Sequence, residues 1–204
     1  MHVREFIEKN YAEYYSWNEY PADKTISFCE VDGPWGILSN FGRAPLVVDS
    51  VEFYSAESLF QVMKFSDPEA RGAVYALKGQ GLKMKAKHYE KTAGVRSDWG
   101  EIIVDALKFC LVTKYNQSEE FRAALEKTKG LAIVEDQTKF RKPADTYGAK
   151  LTPDGQTWSG PNLMGRLLME LRDNGTLEYN LPEDAVKFPD LHLKGNSCTG
   201  YYSV

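Results

Sequence analysis

The sequence predicts a single domain of the α+β class, mainly α, with a small β element. A chain of 204 residues fits one domain, and hydrophobic and aromatic fractions of 43% and 13% are typical of a folded globular protein. Apolar residues recur at helical spacing over most of the chain, whereas only short stretches alternate as strands do. These patterns favour helices packed around one core.

Four elements are predicted in the first third of the chain. They are an amphipathic helix over residues 1–20 closed by Pro21, a strand in TISFCEV, a hairpin in APLVVDSVEFYS that turns at Asp49-Ser50, and a helix in SAESLFQVMKF. The last helix begins at the N-cap Ser55 and ends before Asp67-Pro68.

Helices dominate the remaining two thirds. Glycine closes the predicted helices PEARGAVYALKG, LKMKAKHYEKTAG, SEEFRAALEKTKG and PNLMGRLLMELRDNG, as is common at helix C-termini. DWGEIIVDALKFCLVTKYNQ has the clearest helical spacing of apolar residues and is predicted as the core helix. LAIVED is predicted as a short strand, and residues 137–160 are predicted to be rich in loops.

Composition limits the classes of function. The net charge of −4 argues against non-specific wrapping of long nucleic acid, which needs many cations. Three widely spaced cysteines without a CxxC pair fit a reducing cytoplasm, and three scattered histidines speak against a metal site. No apolar run is long enough to cross a membrane, and the charged start does not resemble a signal peptide. We therefore expect a cytoplasmic protein without a metal site or a membrane partner.

One predicted helix carries an unusual polar stripe. In SAESLFQVMK, Glu57, Gln61 and Lys64 are spaced at i, i+4 and i+7, which places them within roughly 60° of one another on the helix surface. The stripe is either an exposed helix edge or the border of a partly dry cavity. In a dry cavity a glutamate gains the raised pKa that suits proton transfer, and a lysine can act as a nucleophile.

A run of cations crosses the middle of the chain. Between Lys78 and Arg96 six cations accompany the single acid Glu90, although the protein as a whole is acidic. The run is either a solvated helix face or a local site for an anion of the size of a phosphate or diphosphate.

Three further polar clusters have two interpretations each. GPWGILSNFGRAP is either a tight turn or a loop that offers backbone N–H groups and an amide to a ligand. In VRSDW, either Asp98 caps the following helix or Trp99 stacks on a base or sugar. DTYGA and WSGPNLMG either open a helix in the ordinary way or bind phosphate and hydroxyl oxygens at its N-terminus.

Taken in order, these motifs resemble those of a known family. GILSNF, SAESLFQVMK, AKHYEKTAGVRSDW, DTYGA and WSGPNLMGRLLMELR look like the successive motifs of the NADAR family, also called YbiA-like. Members of that family usually carry tryptophan and glycine after the aspartate of the fourth motif, where this chain has Tyr147. The resemblance implies a compact NADAR/YbiA-like catalytic domain over residues 28–175, with a helical extension over residues 1–27 and an arm over residues 176–204 packed on the domain.

The resemblance also implies an activity. Members hydrolyse N-glycosidic bonds between ribose and an amino group of a heterocycle. The expected substrate is ADP-ribose attached to the exocyclic amine of guanine in nucleic acid. The alternatives are a phosphoribosylamino-pyrimidine intermediate of riboflavin biosynthesis as substrate, or a non-catalytic module that binds ADP-ribose or NAD. The resemblance implies no cofactor.

Catalytic roles for three residues come from the same resemblance. Glu57 is the implied general acid and base, and Lys64 either stabilises charge or forms a Schiff base with the opened sugar. Asp145 would orient the ribose hydroxyls or the attacking water.

The implied substrate-binding residues are more dispersed. Lys85, Lys87 and Arg96 would bind phosphate, and Trp99 would offer a stacking face. The remaining residues of this set are Gly36, Ser39, Asn40, Phe41, Gln61, Tyr147, Trp158, Asn162 and Gly165.

Overall fold

The computed structural model describes residues 3–192, without the side chains of Val3 and Gln80. In chain order its helices are α1 (Val3–Asn10), α2 (Ala12–Tyr15), α3 (Ala56–Met63), α4 (Pro68–Tyr75), α5 (Gly79–Thr92), α6 (Trp99–Gln117), α7 (Glu119–Glu126), α8 (Leu163–Asn174) and α9 (Pro189–His192). Its strands are β1 (Asn18–Pro21), β2 (Thr25–Phe28), β3 (Leu46–Val48), β4 (Val51–Phe53), β5 (Ala132–Glu135), β6 (Lys150–Leu151) and β7 (Thr157–Gly160). The predicted α+β class, mainly α, is confirmed.

The central helix α6 organises the core. It packs against α1, α3 and α8 and buries most of its residues, as the helical spacing of its apolar residues predicts. Helix α1 approaches it closely, because a Cβ atom on Gly100 would lie 2.0 Å from the ring of Phe6. None of the helices in the described part of the chain is long and apolar enough to span a membrane.

The strands form three small sheets within residues 3–192. Strands β1, β7 and β6 are antiparallel, β2 pairs with β5 in parallel, and β3 and β4 form a hairpin. Asp49 and Ser50 both have positive φ, at 50° and 60°, as a type I′ turn requires. The predicted hairpin at these two residues is therefore confirmed.

The N-terminal segment corrects one prediction, because residues 3–21 are not a single helix. The helical conformation breaks at Tyr11, whose φ and ψ are −142° and 52°. From Asn18 the backbone is extended and pairs with β7, so that Asn18 lies opposite Gly160. A strand partner so distant in sequence leaves no trace in the local periodicity, which is why the helix was predicted too long.

The part of the predicted arm that is described, residues 176–192, lies on the helical core. Phe188 is buried and contacts the ring of Phe53 with centroids 5.1 Å apart. Arg71 on α4 donates a hydrogen bond to Asp190 at 3.0 Å. The rest of the arm, residues 193–204, lies outside the described residues, as does its Cys198.

Candidate active site

Helix α3 carries the polar stripe into the protein interior. Ser55 caps the helix as predicted, because its hydroxyl oxygen accepts a hydrogen bond from the backbone N–H of Ser58 at 3.3 Å. Every residue of α3 is buried, including Glu57 and Gln61, which are 7% and 5% exposed. For these two side chains the exposed-edge interpretation is therefore wrong.

The carboxyl group of Glu57 has a protonation state set by two opposing effects. Burial raises its pKa, since the ionised form loses its hydration. A hydrogen bond of 2.8 Å from Gln61 and the positive charges of Lys83 and Lys64 act in the other direction. The net result is a raised pKa, which suits a carboxyl group that must donate a proton near neutral pH.

Lys64 follows the last residue of α3 and lies against an acid from another helix. Its Nζ atom is 2.7 Å from an Oε atom of Glu90 on α5, and it lies 5.9 Å from the ring centroid of Trp99. The side chain of Lys64 is 12% exposed and that of Glu90 is 38% exposed. The carboxylate of Glu90 is therefore close enough to accept a proton from Lys64.

A second carboxyl group, which the sequence analysis did not include, faces the same region. Glu135 is the last residue of β5 and is half-buried. Burial, together with the negative charges of Asp145 and Glu57, raises the pKa of Glu135 to about 7, while Lys83 opposes the shift. Side chains at the carboxyl ends of parallel strands commonly form ligand sites. The sequence predicted LAIVED as a strand but gave no sign of its parallel pairing with β2, so Glu135 was missed.

Tyr147 lies among these acids. The pKa of its phenol is raised by burial and by the charges of Glu57, Asp145 and Glu135. The phenol therefore keeps its proton and can donate a hydrogen bond. We call the three acids around Tyr147 the carboxyl cluster.

Asp145 is exposed, but its carboxylate is fixed by Gln137. The side-chain amide of Gln137 donates to Asp145 Oδ1, and its Oε1 atom accepts the backbone N–H of Asp145 at 2.8 Å. The backbone N–H of Tyr147 donates to the same carboxylate at 3.1 Å. Gln137 is thus a positioning residue that the sequence analysis missed.

The GPWGILSNF loop is fixed against α3 and α6. The carbonyl of Asn40 accepts the backbone N–H of Glu57 at 2.9 Å. The fully buried Lys114 of α6 donates to the carbonyls of Ile37 and Ser39, at 2.6 and 2.8 Å. Burial lowers the pKa of Lys114 to about 7. The loop is also tight at Gly36, where a Cβ atom would lie 2.0 Å from the carbonyl oxygen of Val31.

Two buried acceptor atoms beside Glu57 have no partner. They are Oδ1 of Asn40 and Oε1 of Gln61, and neither accepts a hydrogen bond from any described residue. Buried polar atoms are almost always hydrogen-bonded. Asn40 and Gln61 both bond to Glu57 through other atoms, so their free acceptors remain available to donors from outside the chain.

Comparison with known proteins shows which family the chain belongs to. Residues 27–174 match the family model of the NADAR domain. The chain belongs to the NADAR family. It is 28% identical over 156 residues to a protein named N-glycosidase YbiA from Escherichia coli K12, a match that covers 76% of this chain and 91% of that protein.

Two further similarities come from the same comparison. The NMR structure of the Escherichia coli protein YbiA has a TM-score of 0.58 at 27% identity and covers 74% of this chain and 84% of that chain. A riboflavin biosynthesis protein of Vibrio vulnificus is 26% identical over 169 residues. That match spans 82% of this chain but only 42% of the longer protein.

In this NADAR domain, helix α5 presents lysines on two different sides. Lys83 acts electrostatically on Glu57 and Glu135, and Lys87 lies one turn further on the same face. Lys85, two residues from Lys83, lies instead over the ring of Tyr89, with its Nζ atom 5.3 Å from the centroid. The geometry favours Lys87 and the unpredicted Lys83 as anion-binding groups over Lys85.

Arg96 and Trp99, two implied substrate contacts, lie in the core. The guanidinium of Arg96 is paired with Asp98 at 2.6 Å and with Asp184 at 3.0 Å, and Arg96 is only 6% exposed. Trp99 is 3% exposed and packs on Phe60 with centroids 5.2 Å apart. This geometry favours structural roles for both residues. Asp98 does not cap α6 through its side chain, which corrects that interpretation.

Residues of the WSGPNLMG motif hold strand β5, and with it Glu135, in position. Trp158 packs with Val134 in a small second core. Fully buried Asn162 donates to the carbonyl of Ile133 at 2.8 Å and accepts the N–H of Glu135 at 3.2 Å. A Cβ atom on Gly165 would lie 2.0 Å from the Ile133 carbonyl oxygen. These contacts fix β5 against α8 and so hold Glu135 in place.

Phe41 and Ser39 complete the residues implied by the resemblance. Phe41 is half-buried, with Nζ of Lys83 at 5.8 Å from its ring centroid. The hydroxyl oxygen of buried Ser39 accepts the backbone N–H of Phe41 at 3.2 Å. Ser39 therefore shapes the loop, whereas Phe41 borders the region that faces Lys83.

Proposed function

We propose that this protein is an N-glycosidase that removes ADP-ribose from the exocyclic amine of guanine in nucleic acid. One observation carries the proposal: the carboxyl group of Glu57 is buried on α3 and hydrogen-bonded to Gln61, and Lys64 directly follows that helix. A second carboxyl group, that of Glu135 at the end of β5, interacts electrostatically with Glu57, and its pKa is raised to about 7. Glycosidic bond cleavage commonly requires one protonated and one ionised carboxyl group. Two interacting carboxyl groups whose pKa values are both raised favour a state in which one is protonated and the other is ionised.

The first step that we propose is displacement of the guanine. Lys64 passes a proton to Glu90, and its free amine attacks C1 of the ribose. Glu57 donates its proton to the exocyclic nitrogen as the bond from that nitrogen to C1 breaks. The products are guanine with a neutral amino group and a sugar that is joined to Lys64 as a protonated glycosylamine. One proton of that nitrogen then passes to the ring oxygen as the bond between C1 and the ring oxygen breaks, which leaves the opened sugar bound to Lys64 as a protonated Schiff base.

The second step is hydrolysis of the Schiff base. Ionised Glu135 accepts a proton from the attacking water, and the hydroxide adds to C1. Collapse of that adduct releases ADP-ribose and the Lys64 amine. Asp145, held by Gln137, would orient the ribose hydroxyls, and the free acceptors of Asn40 and Gln61 would bind hydroxyl hydrogens.

A phosphoribosylamino-pyrimidine is the second candidate substrate. The similarity to a riboflavin biosynthesis protein favours it, and the lysines on α5 suit one phosphate as well as two. A non-catalytic binding module is less favoured. Bringing two carboxyl groups together in a dry site opposes their ionisation, a cost that binding alone does not require.

Parallel assays on the two candidate substrates test the proposal. The protein is incubated with an oligonucleotide carrying ADP-ribosylated guanine, and separately with a phosphoribosylamino-pyrimidine, with Glu57→Gln as the inactive control. Chromatography should show free ADP-ribose and unmodified guanine in the first reaction. Turnover of the pyrimidine alone would assign the second substrate, and absence of turnover with both would contradict an N-glycosidase.

A further inference from the structure

A cavity of about 460 Å³ lies along β2 and reaches the carboxyl end of its parallel partner β5. It is lined by the residues of β2, by the turn after it and by Asp136, the residue that follows Glu135. Its volume is in the range of small-molecule sites. Successive residues of a strand point to opposite faces, so the cavity and the carboxyl cluster lie on two sides of the same strand end.

Trp35 borders this cavity in an unusual backbone conformation. Its φ and ψ are 61° and 13°, in the left-handed region, which is uncommon for a large side chain. Such a conformation is maintained only where the surrounding structure imposes it, and it is concentrated at ligand sites. The indole is half-buried and also borders a second cavity of about 450 Å³. It therefore presents an accessible aromatic surface.

The free edge of β2 supplies hydrogen-bonding groups to the cavity. Residues of a parallel strand alternate between the partner strand and the outer side. Phe28 accepts the N–H of Asp136 and so faces β5, which turns the backbone N–H and C=O of Ser27 to the outer side. Among the described residues no strand pairs with that edge, and Ser27 lines the cavity.

The charges around the cavity disfavour a phosphate as its occupant. Glu30 and Asp136 contribute two carboxylates, and Glu30 is already paired with Lys139. Carboxylates repel phosphate groups but accept hydrogen bonds from amino groups. A neutral, flat heterocycle with an amino group therefore fits the aromatic surface, the strand edge and the acids together.

We propose that this cavity is the subsite for the adenine ring of an ADP-ribosyl substrate, with the ring stacked on Trp35. The assignment of adenine rests on the proposed function. An ADP-ribosyl group has a ribose at one end and adenosine at the other, so it can cross the strand end from the carboxyl cluster to Trp35. A phosphoribosylamino-pyrimidine has no second nucleoside to occupy the cavity.

Binding of AMP to the full-length protein tests the subsite without turnover. Affinity is measured by calorimetry for the wild type, Trp35→Ala and Trp35→Phe, with Trp17→Ala, whose indole is exposed elsewhere, as the matched control. Trp35→Ala should weaken AMP binding about tenfold or more, the range for base stacking on aromatic rings, and Trp35→Phe should stay within about threefold. Cys29→Phe, which fills the cavity with Trp35 intact, should abolish binding.

Protection of Cys29 from alkylation locates the ligand. Cys29 lines the cavity and is half-buried, so AMP should slow its reaction with iodoacetamide, as measured by mass spectrometry of its peptide, whereas ribose 5-phosphate should not. The subsite is refuted if wild type does not bind AMP, or if AMP binds without protecting Cys29 and Trp35→Ala binds it normally. AMP binding at Trp35 without release of ADP-ribose from guanine would refute the proposed function and leave the subsite standing.

Discussion

Helices α3 and α5 both carry residues predicted for the site, but they hold them in opposite environments. On α3, Glu57 and Gln61 are buried and bonded to each other. On α5, Lys83 and Lys87 are exposed. Fixed groups in a dry site act strongly on a developing charge, whereas exposed cations are screened by water and salt. In the proposed function, α3 would therefore supply the chemistry, and α5 would supply attraction for an anionic substrate.

The largest effect is expected from Glu57→Gln. The amide keeps the size of the side chain and its contact with Gln61 but cannot donate an acidic proton, so turnover should fall about 10²–10⁴-fold. The rate is measured by release of ADP-ribose under single-turnover conditions. The matched control is Glu52→Gln, an exposed glutamate of β4. Activity of Glu57→Gln within about threefold of wild type would remove this residue from the mechanism.

A slightly smaller effect is expected from Lys64→Arg. Guanidinium keeps the positive charge but cannot act as the nucleophile, so the rate should fall about 10²-fold or more. Borohydride added during turnover should fix a ribose adduct on the wild-type peptide that contains Lys64, visible by mass spectrometry. An active Lys64→Arg enzyme without any wild-type adduct would mean that water attacks the sugar directly. Exposed Lys91→Arg is the control.

Glu135→Gln should lower the rate about 10²-fold and change its pH dependence. The wild-type rate should rise as pH increases through about 7, because Glu135 must be ionised to accept a proton and its pKa is about 7. That step should be missing from the profile of the variant. An unchanged profile would assign the ionisation to another group.

The same substitution can be checked through stability. The pKa of Glu135 is higher in the folded protein than the ordinary value of 4.5. The folded state therefore binds more protons than the unfolded state between pH 4.5 and about 7, and the unfolding free energy falls as pH rises through that window. In Glu135→Gln this fall should be smaller, as measured by urea denaturation at several pH values.

The smallest effects are expected on α5, where Lys83 and Lys85 lie on different sides of the helix. Lys83→Ala should weaken ADP-ribose binding about threefold to tenfold and reduce its salt dependence, because Lys83 faces the carboxyl cluster. Lys85→Ala, on the other side, should bind within about twofold of wild type. Equal losses in both variants would show that the helix attracts the ligand only through its total charge.

What the sequence predicted well depends on local spacing. The N-cap Ser55 and the turn at Asp49-Ser50 each follow from residues within a few positions of one another. The mainly α class follows from helical periodicity in the same way. In these regions local preference and final packing agree.

What the sequence could not predict depends on contacts between distant segments. Glu135 and Gln137 join the site through the parallel pairing of β2 with β5 and the loop that follows. Arg96 was assigned to phosphate from the local excess of cations, but its partner Asp184 comes from 88 residues further along the chain. A run of cations in the sequence shows that a region is positively charged, but it does not show which of those cations already form ion pairs.

The buried amine of Lys114 couples the GPWGILSNF loop to the central helix. It ties the carbonyls of Ile37 and Ser39 to the central helix α6, and the next carbonyl in the loop, that of Asn40, holds the N–H of Glu57. The loop, α3 and α6 therefore form one cooperative unit, and the Glu57 amide should exchange its hydrogen with solvent as slowly as the amides of α6 do. The backbone of the candidate acid is then held by the central core, rather than by the loop alone.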